Sequence, residues 1–152
     1  AAAIVADVLS HQRDRRRLVA DALKMREDMS THKPAKSELD IKLVEGGAVD
    51  LEFALHVRQL GNQYGFDPHL GRAIAALDLP PSFAGAYQLF TRFLLTMRLV
   101  APDFEAPTPA TQALLARSCG YENWTELLAE LESKRHEVTE EWRRVCNEFE
   151  GD

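Results

Sequence analysis

Apolar residues return every three or four positions along most of this chain, which is the spacing of one face of an α-helix. Residues 2–31 keep this spacing without an internal proline or glycine, so we expect one long amphipathic helix there. Further helices are predicted from directly after Gly47 to about residue 64, over residues 68–77, up to residue 100, over residues 109–120 and up to residue 149. The helix that ends at residue 100 starts at Ser82 or at the prolines before it, and the last helix starts at Asn123 or Thr125. The prolines lie at the starts of these segments or in the connections between them. The pattern therefore predicts an all-α fold, an up-and-down bundle of roughly five or six helices.

One short stretch, residues 40–44, departs from the helical pattern. Ile41 and Leu43 alternate with Lys42, and such alternation of apolar and polar side chains is typical of an extended segment. We expect Ile41 and Leu43 to enter the core and Lys42 to point away from it. This is the only part of the chain that we predict to be extended.

Two adjacent glycines, Gly46 and Gly47, follow this stretch. Glycine readily adopts positive φ, so the pair allows either tight packing of the extended segment on the next helix or close approach of a ligand. That helix begins with Asp50 and Glu52 near its positive end, where carboxylates are stabilising. Its apolar residues cover most of its faces, so we expect it to be buried, with His56 as a satisfied core histidine.

Length and composition restrict the class of protein. The 152 residues suffice for a single helical domain, 1–152, with a real core. A net charge of −6 argues against a nucleic-acid partner, and no apolar run approaches the length of a membrane span. Cys119 and Cys146 have no metal-ligand spacing and are expected to be packed thiols of a reducing compartment. With no secretory signal visible, we expect a cytoplasmic protein.

The residues by themselves contain no complete catalytic apparatus. Asp50 and Glu52 are two positions apart on a helix and point in different directions, and no Asp-x-Asp pair is present to hold magnesium. Glycine-rich phosphate loops are absent as well. The unusual residue is Lys42, just before the glycine pair. It is either a point charge for a phosphate group or a surface lysine paired with Asp40 or Glu45.

The stretch 40–53 resembles the signature of a known family. Its elements, in order, are Asp40-Ile41-Lys42, Gly46-Gly47 and Asp50-Leu51-Glu52-Phe53. This arrangement is similar to the signature of the bifunctional glutamine synthetase adenylyltransferase/adenylyl-removing enzyme, although the family usually has a larger aliphatic residue at the position of Ala48. The resemblance extends over nearly the whole chain, through Met25-Arg26-x-x-Met29, Leu114-Leu115-Ala116-Arg117, Gly120-Tyr121 and Trp124-x-x-Leu127-Leu128.

The resemblance implies a function in bacterial nitrogen metabolism. The family has two similar halves, each a nucleotidyltransferase domain followed by a helical bundle. One half transfers AMP from ATP, with magnesium, to a tyrosine of glutamine synthetase, and the other half removes it by phosphorolysis. The Asp-Ile-Lys opening and the Val-Asp pair before Leu51 are more similar to the C-terminal, adenylylating half. Implied partners are glutamine synthetase, the signalling protein PII and the nucleotidyltransferase domain, with no nucleic acid and no membrane.

The family's nucleotidyltransferase signature, Gly-Ser followed by Asp-x-Asp, does not occur in this chain. The resemblance therefore implies the helical domain alone, with ATP and magnesium used by the full-length enzyme and none bound by this chain by itself. We expect the isolated chain to be inactive and to hold no catalytic or metal-binding residue. The implied nucleotide-binding residues are Lys42, Gly46 and Gly47, and the motif positions with a structural role or a place in the site are Asp40, Asp50 and Glu52. The alternative is a stand-alone helical interaction module without a nucleotide role.

Overall fold

The computed structural model describes residues 1–151, and this part of the chain folds into seven α-helices without a strand. The prediction of an all-α fold is confirmed, with one helix more than expected. The helices are α1 Ala2–Ser10, α2 Arg15–His32, α3 Ala48–Asn62, α4 Leu70–Ala76, α5 Pro81–Val100, α6 Pro109–Ser118 and α7 Trp124–Glu150.

The additional helix arises because the expected helix over residues 2–31 is divided in two. Residues 10–17 contain no apolar side chain, so no buried stripe holds the helix together across them. Asp14 has extended backbone angles, and its side chain accepts a hydrogen bond from the Arg17 backbone nitrogen, which caps the start of α2. The Ser10 hydroxyl donates to the Asp7 carbonyl at the end of α1. The prediction of one continuous helix was therefore wrong.

The 27-residue helix α7 lies at the centre of the fold and packs against α2, α3, α5 and α6. A large core is formed mainly by α3, α5, α6 and α7. A smaller apolar cluster joins α2, α3 and α7 at the other end. The largest fully buried side chains include Phe83, Phe90, Phe93, Phe149 and Leu55. Helix α3 packs against α2, α5 and α7, so much of its surface is buried, as expected, although one face remains exposed.

Residues 40–44 form a turn, and the prediction of an extended segment was wrong. The Asp40 carbonyl accepts hydrogen bonds from the backbone nitrogens of Leu43 and Val44, which curls the segment into one helix-like turn. Ile41 and Val44 are consequently the two buried apolar residues, while Leu43 is only half-buried. An extended segment needs a strand partner for its backbone, and none of the other described residues supplies one.

Helices α6 and α7 begin close to the predicted positions, and α4 begins later than predicted. Thr108 and Asn123 cap α6 and α7 through their side chains. Helix α4 begins at Leu70, later than the predicted start at residue 68, because the Asp67 carboxylate accepts a hydrogen bond from the His69 backbone nitrogen within the preceding turn. No helix within residues 1–151 has both the length and the apolar character to cross a membrane.

Candidate functional site

The glycine pair lies where the turn after residue 40 meets α3 and α7. Gly46 has a φ of +72°, and a Cβ atom built there would be 2.2 Å from the Arg135 carbonyl oxygen of α7. Gly47 has a φ of −83°, but its Cβ would be 2.1 Å from the Ile41 carbonyl oxygen. A side chain therefore fits at neither position. Both glycines allow close packing of the turn against the chain's own backbone, although the element packed on α3 is a turn and not a strand.

Asp50 connects this turn to α2 and α3. Its Oδ2 accepts a hydrogen bond of 2.7 Å from the Gly46 backbone nitrogen, which is the role of an acidic residue in the first turn of a helix. Its Oδ1 accepts a hydrogen bond from Arg26 Nε, and the two side chains are 7% and 13% exposed. Asp50 is thus a buried, fully partnered carboxylate, oriented away from solvent.

Asp40 is also buried, and its role at the start of the turn is structural. Its Oδ2 accepts a hydrogen bond of 3.2 Å from the Lys36 backbone nitrogen. Its carbonyl accepts the two backbone hydrogen bonds that form the turn. Because its carboxylate faces the preceding loop, Asp40 does not pair with Lys42.

The Lys42 side chain is exposed, as predicted, and lies at the edge of a groove between α2 and α3. No carboxylate in residues 1–151 lies within salt-bridge distance of its ammonium, so pairing with Asp40 or Glu45 does not occur. The groove has a volume of about 450 Å³, and its lining is almost wholly apolar. Its rim carries the polar side chains of Asp21, Lys42, Glu52 and His56.

Glu52 occupies the ridge between this groove and a second one of about 290 Å³, formed by α3 and α5. It lies beyond the first turn of α3, and Asp50 fills the stabilising position at the helix terminus. Within the described part of the chain the Glu52 carboxylate has no hydrogen-bond or ion-pair partner. The prediction that Asp50 and Glu52 point in different directions is confirmed, since one is buried and the other is exposed.

His56 is exposed on α3, so the prediction of a core histidine was wrong. Its Nδ1 lies 2.8 Å from the Gln59 Oε1 atom, and Gln59 is the buried polar residue on this part of the helix. The apolar residues of α3 are dense enough to suggest burial on all sides, but the face that carries Glu52 and His56 remains open to solvent.

Arg26 and Glu141, for which we predicted no role in the site, are central to the packing. Arg26 on α2 binds Asp50 and also donates to the Leu43 carbonyl through Nη2 at 3.1 Å. Glu141 on α7 is 3% exposed, and its Oε1 accepts a hydrogen bond of 2.8 Å from Arg58 Nη2. Because Glu141 pairs with an arginine on another helix, nothing in its local sequence indicates that it is buried.

The two cysteines are buried and unpaired, as expected of packed thiols. Burial raises the thiol pKa of Cys119, and it raises that of Cys146 to about 11. Both thiols are therefore protonated at neutral pH and poor nucleophiles. Nowhere in residues 1–151 do three His, Cys, Asp or Glu side chains gather closely enough to bind a metal ion.

These features define a class: an all-α domain that presents an unpaired lysine on a tightly packed glycine turn. Comparison with known proteins then identifies relatives of this chain. The chain is similar to one segment of the bifunctional glutamine synthetase adenylyltransferase/adenylyl-removing enzymes, and the resemblance inferred from residues 40–53 is confirmed. No family model matches the chain, and no solved structure matches it either.

The similarity extends over most of this chain and over a small part of each relative. The enzyme of that name from Brucella suis is 29% identical over an alignment of 162 positions, which covers 96% of this chain and 16% of the relative. The one from Agrobacterium fabrum is 30% identical over 132 residues, or 78% of this chain and 13% of the relative. The one from Mesorhizobium japonicum is 40% identical over 83 residues, 54% of this chain and 8% of the relative.

Proposed function

We propose that this chain is the helical domain of a longer enzyme that transfers AMP from ATP to a tyrosine of glutamine synthetase and, in its other half, removes it. The observation that supports the proposal best is the unequal coverage: 96% of this chain aligns with 16% of the Brucella suis relative. This is the pattern expected of one domain within a much longer protein. The Asp-Ile-Lys opening at Asp40 favours the C-terminal, adenylylating half.

Within that enzyme, we propose that Lys42 binds the phosphates of the nucleotide. Transfer of AMP to a tyrosine hydroxyl releases pyrophosphate, and the negative charge on these groups requires cations nearby. The Lys42 ammonium is exposed, has no carboxylate partner in residues 1–151, and projects from a turn with fixed geometry. Gly46 and Gly47 contribute by allowing that turn to pack closely, and Asp40 and Asp50 by holding its two ends.

Magnesium is not a ligand that the described residues fit. Asp50 is buried against Arg26, and nowhere in residues 1–151 do three His, Cys, Asp or Glu side chains gather closely enough to hold a metal ion. The carboxylates that hold the metal in the proposed reaction therefore come from the nucleotidyltransferase domain of the longer enzyme. Other partners in the proposal are glutamine synthetase, as the acceptor of AMP, and the signalling protein PII, as a regulator.

The proposal is tested by Lys42→Ala in the longer enzyme, with the melting temperature and the rate of AMP transfer to glutamine synthetase measured together. Loss of one charge-assisted contact to a phosphate costs about 1.5–3 kcal/mol, which is roughly ten- to hundredfold in rate or in affinity for ATP. The melting temperature should not change, because an exposed lysine contributes little to stability. An unchanged rate would refute the role of Lys42.

The isolated chain is expected neither to adenylylate nor to deadenylylate glutamine synthetase. Incubation of the purified chain with glutamine synthetase, magnesium and ATP labelled in the α-phosphate should leave the acceptor unlabelled. The same incubation with the longer enzyme is the positive control. Labelled glutamine synthetase in the first sample would overturn this expectation.

A stand-alone interaction module is the second candidate, and the apolar groove between α2 and α3 favours it. Met25, Met29 and Phe53 line this groove, and flexible methionines are common on protein-binding surfaces. The two candidates differ in the gene: a nucleotidyltransferase domain encoded immediately upstream supports the enzyme, and its absence supports the module.

A further inference from the structure

We infer that Arg26 and Asp50 are positioning residues for Lys42, and that they fix the direction of its side chain without touching the nucleotide. The inference rests on the proposed role of Lys42 in binding phosphate. It assigns a function to the Met25-Arg26 motif on α2, for which the proposed function itself has no use.

The first argument is the number of elements that a single guanidinium joins. Arg26 Nε and Nη2 donate to the two carboxylate oxygens of Asp50 at the start of α3. Nη2 also donates to the Leu43 carbonyl at 3.1 Å, and Nη1 donates to the Ser30 hydroxyl at 2.6 Å on its own helix. The planar fork of arginine allows this geometry, and the single ammonium of lysine cannot reproduce it. One side chain thus joins α2, α3 and the residue next to Lys42.

The second argument is that the Lys42 backbone is held on both sides. Its carbonyl accepts a hydrogen bond of 3.1 Å from the Val49 backbone nitrogen. The next carbonyl along the chain, that of Leu43, accepts from Arg26. Asp50 Oδ2 accepts from the Gly46 backbone nitrogen, so the same carboxylate closes the far end of the turn. With its backbone fixed in this way, Lys42 projects toward the α2–α3 groove.

The third argument separates positioning from direct contact. Lys42 lines the groove between α2 and α3, whereas Arg26 and Asp50 line a different depression together with Leu43 and Arg135. Neither Arg26 nor Asp50 is among the residues that line the groove of Lys42. A phosphate bound by Lys42 in that groove would therefore not contact the Arg26–Asp50 pair.

An ion pair with a purely structural role would affect only the stability of the fold. A second ion pair of the fold provides a matched control for this case. Arg58 pairs with Glu141 between α3 and α7, and its side chain is 13% exposed, the same fraction as Arg26. The hydrogen bonds and ion pairs of this second pair do not involve the turn. Replacing either arginine by lysine keeps the charge and removes the fork, so both variants lose stability by the same mechanism.

The test compares Arg26→Lys, Arg58→Lys, Lys42→Ala and the double variant Lys42→Ala/Arg26→Lys in the longer enzyme. We expect Arg26→Lys to raise the KM for ATP on the order of tenfold and Arg58→Lys to leave it unchanged, since small displacements of a binding group are costly. In the double variant, Arg26→Lys should add nothing to the effect of Lys42→Ala, because both changes act on one contact. Asp50→Asn, which keeps the acceptor for Gly46, should behave as Arg26→Lys does and serves as a second variant.

The outcomes distinguish the two proposals. If Lys42→Ala leaves the KM and the rate unchanged, the proposed role of Lys42 is wrong. If Lys42→Ala raises the KM for ATP but Arg26→Lys and Asp50→Asn leave it unchanged, as expected of Arg58→Lys, the proposed role of Lys42 stands. The positioning inference is then overturned. Additive effects in the double variant would overturn the inference too, since Arg26 would then act independently of Lys42.

Discussion

Arg58 on α3 and Glu141 on α7 form a buried ion pair between two helices that pack against each other, with Arg58 Nη2 2.8 Å from Glu141 Oε1. Arg58 Nε donates to the same oxygen at 3.0 Å, and Arg144 donates to the other carboxylate oxygen. Arg58 reaches Glu148 as well, at 3.1 Å. With Glu141 only 3% exposed, these arginines compensate for the loss of its hydration.

Removing one partner of this pair should therefore be costly. We expect Glu141→Ala to lower the free energy of unfolding by roughly 3 kcal/mol, because the mostly buried Arg58 would lose both bonds to Glu141 and keep only its contact with the more exposed Glu148. The control is Glu140→Ala, which breaks the solvent-exposed pair with Arg143 and should cost about 1 kcal/mol or less. Urea denaturation of both variants measures the difference, and equal losses would contradict the buried-pair assignment.

Backbone strain and steric collision are separate reasons for a glycine, and comparing Gly46→Ala with Gly120→Ala distinguishes them. Both glycines have positive φ, but a Cβ at Gly120 would meet no atom within 4 Å. Gly120→Ala should cost about 1–2 kcal/mol from backbone strain alone. Gly46→Ala should cost about 1–3 kcal/mol more, since its Cβ collides with the backbone of α7 at Arg135. Thermal or urea unfolding gives both values, and a similar loss in the two variants would argue against close packing at Gly46.

The division between α1 and α2 is tested at Asp14. Asp14→Ala removes the side-chain acceptor for the Arg17 nitrogen and should lower the free energy of unfolding by about 1 kcal/mol. Asp21→Ala is the control on the same helix, because its exposed pairing with Arg17 at 3.8 Å contributes little. If the two substitutions proved equivalent in urea denaturation, Asp14 would not be a cap.

The raised thiol pKa of Cys146 predicts that the free energy of unfolding depends on pH. The pKa of Cys146 is raised from its ordinary 9.0 to about 11 in the folded protein, chiefly by burial. The stabilising effect of this protonated thiol is therefore complete below pH 9 and is lost as the pH rises toward 11. Urea denaturation at pH 8 and pH 10 should show a larger loss in the wild type than in Cys146→Ala. A thiol reagent at pH 8 should modify Cys119 and Cys146 only after unfolding.

The helices could be predicted from the sequence because helix formation depends on residues that are close together along the chain. Apolar spacing and the caps at Thr108 and Asn123 depend on residues within one turn of each other. The break before α2 also has a local cause, the capping carboxylate of Asp14, but it was overlooked because no proline or glycine accompanies it. An uninterrupted run of polar residues with a capping residue inside it is the pattern that would have revealed this break.

The candidate site was less predictable because its geometry depends on long-range contacts. The alternation at residues 40–44 placed Lys42 correctly at the surface, although for the wrong reason: Ile41 and Val44 face the core across a turn. Nothing near Asp50 in sequence indicates that Arg26 binds it, and nothing near Glu141 indicates Arg58. Ion pairs between distant helices are fixed by packing, which periodicity cannot describe.

The central position of α7 has a consequence for the order in which the fold is assembled during synthesis. The turn that carries Gly46 packs on α7, and Arg135 donates to the Glu45 carbonyl across 90 positions of sequence. Until the ribosome has released α7, the apolar faces of α2, α3 and α5 lack their main partner and remain exposed to water. Closing such distant contacts is slow in comparison with local helix formation. The nascent domain therefore exposes apolar surface until α7 is present, a condition that favours aggregation in spite of its all-helical composition.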